Sequence, residues 1–141
     1  MIRKMTEADI PAAARLEQKY FSVPWTEAGL MESFARPEYL FLVAEEEGEV
    51  VGYAGLGQVL DEGDVTNIVI DEAYRGMGLG QRLTEALLTE GKKRGIQAFT
   101  LEVRVSNEAA IHIYEKLGFV SAGVRKSFYE KPTEDALVMW I

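Results

Sequence analysis

The chain has 141 residues, 48% hydrophobic and 27% charged, which is the balance of one globular domain spanning residues 1–141. Its formal net charge of −8 argues against a nucleic-acid partner, whose phosphates reward a basic surface, and suits a cationic one. With no cysteine and one histidine there is no disulfide, no thiolate nucleophile and no histidine-built metal centre. No apolar run approaches the roughly 20 residues of a membrane span, and the opening Met1-Ile2-Arg3-Lys4 lacks the apolar stretch of a signal peptide. A cytoplasmic, metal-free protein is expected, a monomer or weak homodimer without membrane contact.

Arg3 falls in a short first strand. Thr6-Glu7-Ala8-Asp9 has the form of a capping box, with Asp in place of Glu, leading into a helix from Ile10 to Tyr20. Pro24 breaks the chain, Trp25-Thr26-Glu27 opens a second helix reaching about Ala35, and Pro37 stops it. Tyr39 to Ala44 and Val50 to Val59 read as a hairpin around Glu46-Glu47-Gly48-Glu49. Asp61 to Asp64 reads as a further turn. Val65 to Ile70 is apolar on nearly every residue, the pattern of a central strand covered on both sides.

Next comes Arg75-Gly76-Met77-Gly78-Leu79-Gly80, then an amphipathic helix to Arg94 with Leu79, Leu83, Ala86 and Leu87 along one stripe. Lys92-Lys93-Arg94 suits its negative end, and Gly95 its cap. Phe99 to Val105 is a strand, Asn107 to Lys116 a helix closed by Gly118, and Phe119 to Tyr129 with Ala136 to Ile141 a final antiparallel pair. The order predicts a mixed α/β fold: a single, partly parallel sheet with helices on both faces.

Strand, glycine-rich turn and helix together make an anion cradle, because glycines let backbone N–H groups approach a phosphate at the positive end of a helix. A P-loop needs Lys-Ser/Thr after its last glycine, and Gln81-Arg82 stands there instead. A dinucleotide loop needs a third glycine where this chain has Gln81 or Leu83. The pattern Arg-x-x-Gly-x-Gly is complete in Arg75, Gly78 and Gly80. On this loop, and on Ser106-Asn107-Glu108-Ala109-Ala110 followed by Tyr114-Glu115-Lys116-Leu117-Gly118-Phe119, the chain resembles the GCN5-related N-acetyltransferases (GNAT) along nearly its whole length.

The resemblance implies a GNAT-like fold and acetyl-CoA as co-substrate. The pyrophosphate would lie on Arg75, Gly76, Met77, Gly78, Leu79 and Gly80, and the pantetheine arm along the backbone of Ile68, Val69 and Ile70, with Asn107 also on the coenzyme. It implies Glu102 as general base for the amine and Tyr114 as general acid for the leaving thiolate. From the residues alone, each has a second reading. Thr100, Glu102 and Arg104 share one strand face, so Glu102 could pair with Arg104. Asn107 could be only a helix N-cap, Tyr114 only core, and His112 faces away at the surface. A tyrosine near its ordinary pKa of ~10 is protonated at neutral pH and can serve as an acid.

Within the family the likeness is nearest to the RimI-type ribosomal-protein alanine N-acetyltransferases, carried by Pro24-Trp25-Thr26-Glu27, by Leu101 to Asn107, and by Phe128-Tyr129 with Glu134 to Met139. This implies a protein or peptide N-terminus as acceptor, a ribosomal protein among them, attacked directly in a ternary complex. Trp25 and Tyr129 would flank the entrance, or else only pack. The segment Glu130-Lys131-Pro132-Thr133 looks shorter than the family's usual hairpin at the peptide slot. Alternatives are transfer to a lysine side chain or a small amine such as a polyamine, or an acyl-CoA-binding module without catalysis.

Overall fold

Alternation along the strands divides the apolar residues between two clusters, one on each face of a single sheet. The computed structural model describes residues 1–141. Its strands are β1 (Ile2–Lys4), β2 (Tyr39–Glu46), β3 (Glu49–Val59), β4 (Glu62–Ile70), β5 (Ala98–Arg104), β6 (Val120–Tyr129) and β7 (Glu134–Trp140). Its helices are α1 (Ile10–Tyr20), α2 (Glu27–Phe34), α3 (Leu79–Lys93) and α4 (Glu108–Lys116). The sheet order is β1-β2-β3-β4-β5-β7-β6, antiparallel throughout except between β4 and β5.

On β2, Leu40, Leu42 and Ala44 face the larger cluster, where Leu79, Leu83 and Leu87 of α3 meet Phe99, Leu101 and Val103 of β5. Phe41 and Val43 face the smaller one, with Ile10, Ala13 and Leu16 of α1 and Leu30 of α2. The mixed sheet with helices on both faces is as expected. The starts of α1 and α2 also follow local chemistry. Asp9 accepts the Thr6 backbone N–H at 2.8 Å, and Thr26 Oγ1 accepts that of Gly29 at 3.0 Å.

Two sequence expectations are corrected. Glu62-Gly63-Asp64 is strand, not turn, and the reversal tightens to Leu60 and Asp61. Gly63 is a packing glycine: a Cβ there would lie 3.0 to 3.1 Å from Leu56, Ile96 and Phe99. Glu102 and Arg104 also do not pair. Arg104 meets Glu134 at 3.0 Å, and Glu102 meets Arg125 at 3.5 Å.

The feature that creates a site is the parting of β4 from β5. Their parallel register runs only from Glu62 opposite Ala98 to Asp64 opposite Thr100. Just beyond, Gly55 pairs with Asn67 while Leu56 pairs with Val65, so Thr66 is an extra residue on β4. Such a bulge bends its strand and increases the local twist. From Val65 to Ile70 the edge of β4 that would face β5 has no strand beside it.

Candidate active site

A cavity of about 930 Å³ opens where β4 and β5 separate. β4 contributes Val65, Thr66, Asn67 and Ile68, and β5 contributes Leu101, Glu102, Val103 and Arg104. Asn107 and Tyr114 reach it from α4, Trp25 from the α1–α2 loop, and Tyr129 from the β6–β7 hairpin. Sequence positions far apart are thus gathered on one opening. Val69 and Ile70 continue the unpaired edge of β4 outside the cavity lining, their side chains buried in the smaller and larger cluster respectively.

The glycine loop stands at the end of that free edge. Gly76 and Gly78 have φ of 80° and 77°, the left-handed region that side chains resist, and Gly78 caps α3. The backbone N–H groups from Gly76 through Gln81 have no acceptor in the protein. Successive free N–H groups at a helix start form a concave donor surface for an anion. A Cβ on Gly76 or Gly78 would meet nothing within 4 Å, so protein packing does not require glycine at either position. The left-handed backbone does. These features fit a diphosphate. Arg75 braces the loop: its Nε donates to the Ile70 carbonyl at 2.9 Å, and its guanidinium lies 4.7 Å from the centre of the Tyr20 ring. Met77 is exposed, Leu79 is buried in the larger cluster, and Gly80 leaves ordinary contacts of 3.9 Å to Ile113 and Ile70.

Glu102 projects from β5 with its side chain 20% exposed, and Arg125 Nε is 3.5 Å away. Tyr114 is held edge-on against Phe119, ring centres 5.8 Å apart. Burial, and secondarily the neighbouring Tyr129, pushes its hydroxyl above the ordinary phenol range, so it is protonated at neutral pH. Asn107 is the α4 N-cap, its Oδ1 accepting the Ala110 N–H at 3.2 Å, which leaves Nδ2 for a ligand. His112 is exposed on the outer side of α4.

Arg104 organises the far wall. Its guanidinium donates to the Pro132 and Glu130 carbonyls and to Glu134, each at 3.0 Å, and lies 4.5 Å from the centre of the Tyr129 ring. Ser22 Oγ, in the α1–α2 loop, donates to the Glu130 carbonyl at 2.8 Å and so ties that loop to the hairpin. Burial and Glu102 push the Tyr129 hydroxyl up to about 12, against the opposing charge of Arg104. Trp25 does pack, edge-on to Phe41 at 6.4 Å, and it lines the cavity as well.

Three groups escaped the sequence reading. Glu17 and Asn67 are buried and line the cavity, and Tyr53 donates its hydroxyl to Glu17. A signal existed: Glu17 falls on the stripe of Ile10, Ala13 and Ala14, where a carboxylate is out of place. Asp64 is the third. Desolvation, and then the neighbouring charge of Glu102, raise its carboxyl to about 6, with Arg125 opposing.

A glycine loop with free N–H groups beside two parted parallel strands, with a carboxylate and a buried tyrosine lining the opening, has the parts that suit group transfer from a phosphate-bearing donor. The chain belongs to the acetyltransferase (GNAT) family, whose model matches residues 10–119. It is 39% identical over 145 residues to the [ribosomal protein bS18]-alanine N-acetyltransferase of Escherichia coli K12, covering 98% of this chain and 94% of that protein. The enzyme of that name from Haemophilus influenzae is 36% identical over 142 residues, covering 99% and 96%. The crystal structure of the Escherichia coli ribosomal-protein-S18-alanine N-acetyltransferase superposes with a TM-score of 0.91 at 37% identity, covering 100% of this chain and 92% of that one. Ard1 from Thermoplasma volcanium superposes with a TM-score of 0.90 at 28% identity, covering 100% and 95%.

Proposed function

We infer that the protein transfers the acetyl group of acetyl-CoA to the N-terminal α-amino group of a protein, a ribosomal protein beginning with alanine, by direct attack in a ternary complex. The observation that carries this is that Glu102, Tyr114, Trp25 and Tyr129 all line the one cavity that opens where β4 and β5 part; in this reading Trp25 and Tyr129 flank the acceptor. The likeness to enzymes named for acetylating the alanine of bS18, over nearly their full length, supports the acceptor class.

In this reading the N–H groups from Gly76 to Gln81 hold the pyrophosphate, and the free edge of β4 at Ile68 to Ile70 holds the pantetheine arm. Asn107 Nδ2 adds a donor to the coenzyme. Glu102 takes the proton that the ammonium must lose, and the amine nitrogen bonds to the acetyl carbon as the carbon–sulfur bond breaks. Tyr114 gives the departing sulfur its proton, which burial has kept on the hydroxyl, and the second proton that the nitrogen sheds as the amide forms restores the phenol through solvent. No side chain carries the acetyl group. A ribosomal substrate places the reaction in the cytoplasm.

The test offers acetyl-CoA with three sets of acceptors: short peptides with free α-amines, N-blocked lysine peptides, and polyamines. Release of free thiol only with the α-amino peptides is expected. Turnover confined to lysine peptides or polyamines overturns the acceptor assignment, and binding of acetyl-CoA with no turnover on any acceptor overturns the enzymatic one.

A further inference from the structure

Glu17, 1% exposed on the apolar stripe of α1, has no part in the chemistry above. Its Oε1 accepts the Trp25 backbone N–H at 2.8 Å. Its Oε2 accepts from the Tyr53 hydroxyl and from Asn67 Nδ2, the latter at 2.9 Å. An ionised carboxylate only accepts, so the Asn67 amide must turn its NH₂ toward Glu17. Oδ1 is thereby turned away, and it is buried without a hydrogen-bond partner.

The neighbouring Thr66 Oγ1 is also buried and unpartnered. The bulge puts both groups on the α1 face of the sheet. Gly55 is the register partner of Asn67, and a Cβ built on it would lie 2.7 Å from Thr66 Oγ1 and 2.8 Å from the Phe41 ring in the α1-side cluster. Glu17, Thr66 and Asn67 all line the cavity, at the point where β4 leaves β5. Native proteins rarely leave such buried atoms unpaired. Two oxygens that can accept, backed by a buried negative charge, match a cation bearing several N–H groups.

Given the acetyl-transfer reading, we propose that Thr66 Oγ1 and Asn67 Oδ1 receive the N–H groups of the acceptor amine. Glu17 is then a positioning residue that keeps the Asn67 amide in its receiving orientation. Both residues line the cavity, and no protein group satisfies either oxygen at its wall. In a site withdrawn from water the charge of Glu17 acts with little screening, which favours the ammonium on arrival. Through the Trp25 N–H the same carboxylate holds the α1–α2 loop at the acceptor side.

The decisive variant is Thr66→Val, which replaces the hydroxyl by a methyl of nearly the same shape. The KM for a short peptide with a free N-terminal alanine should rise on the order of fivefold to tenfold, as loss of one hydrogen bond implies. Affinity for acetyl-CoA should not change, and Tm should hold or rise because a buried unpaired hydroxyl is gone. Glu17→Gln should raise the same KM further. Its new NH₂ lets the Asn67 amide flip and present donors where the ammonium needs acceptors. An unchanged peptide KM in a folded Thr66→Val overturns the proposal, as does an equal loss of acetyl-CoA affinity. Should Glu17→Gln lose its fold, Thr66→Val decides alone. If the parent protein acetylates no α-amine, the functional reading itself fails. Turnover by the parent with an unmoved KM in the variant removes only the amine seat.

Discussion

Gly78→Ala separates what the glycine loop does for the fold from what it does for the ligand. Gly78 holds φ at 77°, where a side chain costs about 1–2 kcal/mol, and a Cβ would find nothing within 4 Å to clash with. The variant should therefore fold, destabilised by that strain alone, which lowers Tm by roughly 3–8 °C in a domain of this size. The added methyl occupies the open space beside the free N–H groups of Gly76 to Gln81, where the pyrophosphate is proposed to lie. Pushing the pyrophosphate off one charge-assisted bond costs about 1.5–3 kcal/mol, or roughly 10- to 100-fold in Kd. Gly95 supplies the control. It lies just past the other end of α3, with φ of 86° and equally open space around a Cβ. Gly95→Ala should lose similar stability and no affinity. Calorimetric titration with acetyl-CoA beside a thermal melt reads both quantities. Equal Kd values for Gly78→Ala and the parent, or equal weakening in Gly95→Ala, would refute the loop's role.

Glu102→Gln should lower kcat and flatten its rise with pH while leaving the acetyl-CoA Kd in place; an unaltered pH profile counts against a base. Tyr114→Phe removes a hydroxyl with no partner inside the protein, so Tm should stay within a degree or two. Its kcat should fall on the order of 100-fold, the lower end for general acid catalysis, and an undiminished kcat would return Tyr114 to the core. Asp64→Asn tests the carboxyl raised from 3.8 to about 6. A raised acid binds more protons folded than unfolded, so its ionisation removes stability as pH climbs through that window. The variant should melt slightly higher than the parent above pH 6 and match it below pH 4. The gain is small because Asp64 keeps solvent contact, and the opposite pH trend would exclude the effect.

The donor half of the site was legible because its physics is local. Gly76 and Gly78 adopt backbone angles that only glycine takes freely, and the apolar stripe of α3 follows at once. The two faces of β5 were legible for the same reason, since Thr100, Glu102 and Arg104 alternate with Phe99, Leu101 and Val103. The parting of β4 and β5 was not, because nothing in Val65-Thr66-Asn67 announces a bulge and the partner strand lies some thirty residues on. Gly63 misled in the opposite direction, a glycine kept for close packing that reads as a turn. Arg104 finds its partners only on folding, where Glu134 arrives from thirty positions away and Ser22 from the α1–α2 loop. Glu17 and Asn67 stood in view as polar residues among apolar neighbours. Their meaning depends on α1 crossing β4, which is tertiary information.

The central claim is that this site delivers acetyl to an α-amine and not to a side chain. A peptide beginning with alanine and carrying one internal lysine, incubated with acetyl-CoA and the protein, puts both amines in competition on one molecule. Fragment mass spectrometry then locates the added acetyl group. A single acetyl on the N-terminal alanine with the lysine free is the expected result; acetyl on the lysine with the α-amine untouched would contradict it.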